Sequence, residues 1–245
     1  SENFLDAIAQ HDAAVGNAIW VGSEPTFTLR DSESSEWLSE PLGSEKYRYA
    51  LRMVAKLRQR HPGSMVLRTV GRQYPAEDVP RWCIGLLERR DGKPLWLGPV
   101  DLLAYGGNVK ACSDAQLPLD GFWHALRNAG EQRGWHVVGF RCEQALSHRL
   151  LFGRDPQAVE QAGFDPLTRR PSIHWEKTPP DGLKDPLAEQ GLFLFSIGIH
   201  EADGLPSGLC IELPLLPSVQ NFLDCVAMLQ QACEDALVSA LVVQG

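Results

Sequence analysis

Arg81-Trp82-Cys83-Ile84-Gly85-Leu86-Leu87-Glu88-Arg89, then Arg90-Asp91-Gly92, then Lys93-Pro94-Leu95-Trp96-Leu97: this stretch decides the class of fold. A mostly apolar run of strand length, an Asp-Gly turn signal and a second extended run predict a β-hairpin. A hairpin joins antiparallel neighbours, which a sheet built only from strand–helix–strand crossovers does not contain. Working outward, Met65–Val70 reads as a strand and 44–60 as a helix, with Ser44 as cap and Tyr47, Leu51 and Val54 at helical spacing. Residues 3–15 predict a short helix, and Ala18–Leu29 a strand interrupted by Gly22-Ser23-Glu24-Pro25. The acidic stretch Arg30–Pro41 reads as a surface loop.

Downstream, Phe122–Arg133 predicts a helix, and Trp135–Phe140, Leu192–His200 and Leu209–Leu216 predict strands. Residues 153–191 read as an irregular excursion, and 218–237 as an amphipathic helix with Val219, Phe222, Leu223 and Val226 on one face. Leu241-Val242-Val243 begins another strand, expected to form an open edge that association covers. Strands outnumber what strand–helix alternation gives. The expected class is α+β: a mixed, largely antiparallel sheet with helices packed on one side, in a single domain over residues 1–245.

A chain of 245 residues with 44% hydrophobic and 22% charged residues can bury a core without disulfides or metal. Lys and Arg number 23 against 31 Asp and Glu, a net charge of −8, which argues against nucleic acid or an anionic membrane as partner. No run approaches the roughly 20 apolar residues of a membrane span, and the start lacks a signal-peptide pattern, so a cytoplasmic location is expected. The six cysteines are scattered without a CxxC pair, as core residues are.

Nucleotide-loop, zinc-protease and serine-elbow motifs are absent. Two segments stand out. In Trp20-Val21-Gly22-Ser23-Glu24-Pro25-Thr26-Phe27-Thr28 a carboxylate interrupts an apolar strand. Either Glu24 faces solvent at a bulge, or it binds a hard cation such as Mg²⁺, which takes one or two carboxylates plus phosphate oxygens. The second segment, 68–82, joins two predicted strands and carries Arg68, Arg72 and Arg81 with Tyr74 and Trp82. Arginine forks suit phosphate or carboxylate; the plainer alternative pairs them with Glu77 and Asp78 at the surface. Glu212 and Glu143, at strand ends, are further carboxylates that could join a site.

These segments resemble a known family. His11-Asp12-Ala13-Ala14-Val15, Val21-Gly22-Ser23-Glu24-Pro25-Thr26-Phe27, Glu36-Trp37, Leu42-Gly43 and Lys46 are similar to the start of bacterial amidoligases often fused behind transglutaminase-like domains. Gly71-Arg72-Gln73-Tyr74-Pro75, Pro80-Arg81-Trp82 and 91–96 continue the match in order. The resemblance implies a glutamine-synthetase-like fold and an ATP- and Mg²⁺-dependent ligation of a small-molecule or peptide carboxylate to an amine. By the same analogy Glu24 is a metal ligand, Arg72 and Arg81 are catalytic groups facing phosphates or the substrate carboxylate, and Arg68, Tyr74 and Trp82 bind substrate or nucleotide. Arg72-Gln73 stands where the family has Lys-Trp, and Cys210 and Pro214 where it has an arginine and an aspartate. Members are longer, and the strands that finish their nucleotide site are expected beyond residue 245. The alternative is a non-catalytic relative acting as a binding or scaffolding subunit, with a partner protein or a homo-oligomer completing it.

Overall fold

In a computed structural model, residues 2–16, 19–21, 33–38, 43–70, 75, 81–101, 118–142, 147–162, 185–200 and 208–245 are described. The elements, in chain order, are α1 (Glu2–Ala14), β1 (Ile19–Val21), α2 (Ser35–Leu38), α3 (Ser44–Arg60), β2 (Met65–Val70), β3 (Trp82–Arg89) and α4 (Leu119–Glu131). They continue with β4 (His136–Cys142), β5 (Ser147–Gly153), α5 (Pro156–Gln161), a 3-10 turn (Ala188–Gln190), β6 (Leu192–His200), β7 (Gly208–Glu212), α6 (Val219–Asp235) and β8 (Val242–Gln244). The described strands form one eight-stranded sheet in the order β1-β3-β2-β8-β7-β6-β5-β4. Two antiparallel blocks, β1-β3-β2 and β7-β6-β5-β4, are joined by β8, which runs parallel to both β2 and β7.

The sheet is mixed and largely antiparallel, but not through the expected hairpin. The chain does turn at Asp91, whose carboxylate accepts two bonds from Arg89 and one from the Lys93 amide, and Gly92 takes φ +72°. It then leaves the sheet: the amides of Leu95 and Trp96 both donate to the Gly63 carbonyl, at 2.8 and 2.9 Å. Both side chains are buried, and the Trp96 indole donates to the Pro99 carbonyl. Burial of Leu95 and Trp96 outweighed a second strand beside β3, whose two edges are taken by β2 and β1.

Expectation and structure also differ elsewhere. Helices were expected on one side of the sheet, and they lie on both. On one face α4 and α6 bury Phe122, Leu126, Val226 and Leu229 against Met65, Leu150, Phe195 and Ile211. On the other, α3 sets Leu51 against Cys210 and Val242, and Val54 against Val66. Further along that second face, Val159 of α5 packs on Leu151, Leu192 and Leu194. Met65 and Val66 thus reach opposite cores, as alternation along a strand requires.

The open edge expected at 241–243 is instead the interior of the sheet. Leu241, Val242 and Val243 are each at most 3% exposed, as an unbroken apolar run is when both faces are covered. Ser44 opens α3 without capping it; Gly43 holds the cap position and no side chain accepts there. Ser35–Leu38, inside the expected surface loop, is a helical turn with Trp37 buried. Within the expected excursion, 156–161 is helical and capped by the Asp155 carboxylate.

Candidate functional site

Side chains directly opposite each other on neighbouring strands project from the same face. Arg68 of β2 pairs with Gln244 of β8, Gln244 with Glu212 of β7, Glu212 with Ser196 of β6, and Ser196 with Arg149 of β5. Five strands therefore contribute one polar residue each to a single row across the α3/α5 face. The flanking positions are apolar or small. Cys210, Gly198 and Val242 lie on one side, and Leu194 and Leu151 on the other. Polar groups in such a setting are costly unless they are paired or employed, so the row is the candidate site among the described residues.

Its Arg68 end is closed. The guanidinium is fully buried and donates to both Asp101 oxygens, at 2.5 and 3.0 Å, and to the Tyr47 hydroxyl at 3.1 Å. Burial alone would lower the guanidinium pKa, yet the Asp101 charge and hydrogen bonds, with Tyr47, raise it above its ordinary value. Tyr47 comes from the first turn of α3 and meets the ring of Trp82 edge-on, with centroids 5.2 Å apart. The middle of the row is also enclosed: Glu212 is 7% exposed. Beside it, burial pushes the Cys210 thiol up to about 12. Arg68 opposes that shift, while Glu212 and Asp101 reinforce it. Three charges therefore act on one sulfur, which stays neutral and inert. At the far end Arg149 is half-buried, and its carbonyl accepts from the Trp123 indole at 3.3 Å.

Of the residues singled out from the sequence, Arg68 lies at the buried end of the row and Trp82 against its Tyr47 partner. Arg81 is half-buried immediately before β3. Glu24, Arg72 and Tyr74 lie outside the described residues, as does Glu143. Glu212 stands at the centre of the row. Gln244, Ser196, Arg149, Asp101 and Tyr47 were not anticipated. Ser196 had a readable signal, being the one polar residue in the apolar run Phe193-Leu194-Phe195-Ser196-Ile197.

Among the described residues no group of three His, Cys, Asp or Glu side chains is arranged to hold a metal. Asp101 is committed to Arg68, and Glu212, the carboxylate of the row, has contacts of its own, so the described residues offer a cation at most one carboxylate here. Mg²⁺ fits such a setting where phosphate oxygens and water complete its shell. On the opposite face His148 bonds the Asp120 carboxylate at 2.9 Å under Trp123, and its Nδ1 has no hydrogen-bond partner among the described residues. None of the described helices is long and apolar enough to cross a membrane.

Compared with known proteins, residues 6–126, roughly the N-terminal half, match a family described as "Putative amidoligase enzyme (DUF2126)". No curated protein and no solved structure matches the chain.

Proposed function

We propose, from the amidoligase match of residues 6–126 and the polar row on the sheet, that this chain is an ATP- and Mg²⁺-dependent carboxylate–amine ligase whose reactants lie on the α3/α5 face. The observation that carries the reading is the row itself, Arg68–Gln244–Glu212–Ser196–Arg149, on an otherwise apolar surface. Glu212 and Glu24 are the metal ligands of this reading. Strand β1 heads for the row: Val21 is level with Leu87 and Met65, three pairs short of Ile84 and Arg68, and Glu24 follows Val21 by three residues in the sequence.

Arg72 and Arg81 neutralise phosphate or carboxylate charge, Tyr74 and Trp82 frame the nucleotide or substrate, and Arg68, neutralised by Asp101, braces the row from beneath. Positioned cations of this kind are most of what phosphoryl transfer needs from a protein. ATP, when bound, supplies the phosphoryl group that activates the substrate carboxylate toward the amine. Calorimetric titration with ATP or a non-hydrolysable analogue, with and without Mg²⁺, tests the reading against Glu24→Ala and Glu212→Gln. Mg²⁺-dependent heat that disappears in both variants is expected. Absence of heat under every condition overturns the ligase reading in favour of a binding subunit.

A further inference from the structure

We propose that the flank of α6 turned away from α4 docks a basic amphipathic helix of a partner protein. Neighbouring positions of α6 face different ways. Gln231 turns to α4, where its side chain meets Arg133 and Gln132. Gln230, about 100° round the helix from it, turns the other way and accepts from the Leu97 amide. Glu234 and Leu237 follow Gln230 at i+4 and i+7, the spacing that keeps side chains on one stripe. Leu97 is 73% exposed and Leu237 88%, more than any other large apolar side chain among the described residues. Gln230, beside Leu97, and Leu237 stand about 10 Å apart along the helix, with Glu234 between them. Val219, about three turns before Gln230 on the same flank, is also exposed.

Two features at the end of this stripe work against the helix itself. Leu237 holds φ +54°, a conformation relaxed for glycine and strained for leucine. Glu234 and Asp235 lie in the last turn, where the helix carbonyls already concentrate negative charge, and no basic residue stands there. Conflicts of this kind cluster where a surface serves something besides folding. The charge also selects the occupant. α6 carries Asp224, Glu234 and Asp235 and no Lys, Arg or His. A second copy of this chain in a symmetric contact would set these carboxylates against themselves, and an anionic membrane is repelled for the same reason. A helix with leucine-like residues two turns apart and Lys or Arg beside them meets the apolar positions and the acid between them. The flank lies across the sheet from the polar row, so the proposal stands independently of the ligase reading.

The test titrates a synthetic leucine–lysine peptide, about five helical turns long with leucines at i, i+3, i+4 and i+7, into the full chain carrying labelled leucine methyl groups. The NMR signals of Leu97 and Leu237 should shift, and that of Leu38, exposed on α2, should not. Leu237→Gly and Leu97→Ser should each weaken binding by about fivefold or more. Leu237→Gly should do so while raising the melting temperature, which separates docking from folding. Glu234→Gln combined with Asp235→Asn should weaken binding and flatten its salt dependence. No binding overturns the proposal. So does equal binding of a peptide with glutamate for lysine or serine for leucine, the latter showing attraction to the chain's overall charge alone. Unchanged binding by the two leucine variants overturns it as well. A dimer in sedimentation that Leu237→Gly dissociates overturns it in favour of self-association.

Discussion

Replacing Asp101 with alanine should be among the most damaging single changes in the molecule. Arg68 is fully buried, and Asp101 is 5% exposed and accepts two of its hydrogen bonds. Arginine does not escape by losing its proton, so truncation of Asp101 leaves a positive charge in the interior facing only the Tyr47 hydroxyl and the remaining row. Removing one partner of a buried pair typically costs about 3–5 kcal/mol. For a chain of this size each kcal/mol lowers Tm by about 2–4 °C, so the expected fall is on the order of 10 °C. Urea denaturation followed by circular dichroism and by tryptophan fluorescence measures the loss directly. The double variant Arg68→Met with Asp101→Leu should lose far less than the two single changes combined, because apolar replacement of both partners is often nearly neutral. A loss below about 1 kcal/mol for Asp101→Ala would refute the reasoning, since the cost of an uncompensated buried charge would then be missing.

Three other outcomes are expected. Leu237, just past the cap of α6, has φ +54° and is 88% exposed; Leu237→Gly should raise stability by roughly 0.5–1 kcal/mol in thermal melts, because glycine carries no left-handed penalty there. Gly130→Ala gains about 1 kcal/mol of helix propensity. Its new Cβ would nevertheless sit 2.2 Å from Cε1 of the buried Phe152 ring, so a net loss of about 1–3 kcal/mol in denaturant titration is expected. Burial pushes the thiols of Cys210, Cys225 and Cys233 up to about 12. At pH 8 these three should resist a thiol reagent in the native protein and react fully in urea, as peptide mass spectrometry would show; a labelled Cys225 peptide from native protein would contradict the packing.

Local periodicity carried much of the fold. The helices at 44–60 and 219–235 and the strands at 65–70, 82–89 and 192–200 follow from spacing and breakers that act within a few residues. What escaped was set by partners distant in the sequence. The fate of Leu95 and Trp96 depended on the Gly63 carbonyl, more than 30 positions earlier, and on an apolar core assembled from several other elements. The apolar run at 241–243 carried its own clue, since a strand without alternation is covered on both faces. β5 hid because His148 and Arg149 interrupt its apolar character, and those two side chains serve opposite faces of the sheet. Glu212, read from the sequence as a carboxylate at a strand end, does lie at the end of β7, in the polar row. Asp101 was not legible, because its partner lies 33 positions away and its own neighbourhood has no periodic signal.

β8 follows every other described strand in the sequence, yet it occupies the middle of the sheet. Each antiparallel block can nucleate from hairpin-like local pairings while the chain emerges, at modest loop-closure cost. Joining the blocks must wait for residues 242–244, which insert between β2 and β7 and close the Gly245 amide onto the Arg68 carbonyl at 2.8 Å. Without β8 between them, no strand pairing among the described residues joins β2 to β7, and the row from Arg68 to Glu212 is broken. Completion of the sheet and completion of the polar row therefore depend on the same three residues. A chain stalled before they pair would expose two long, unpaired interior edges, the form most exposed to aggregation.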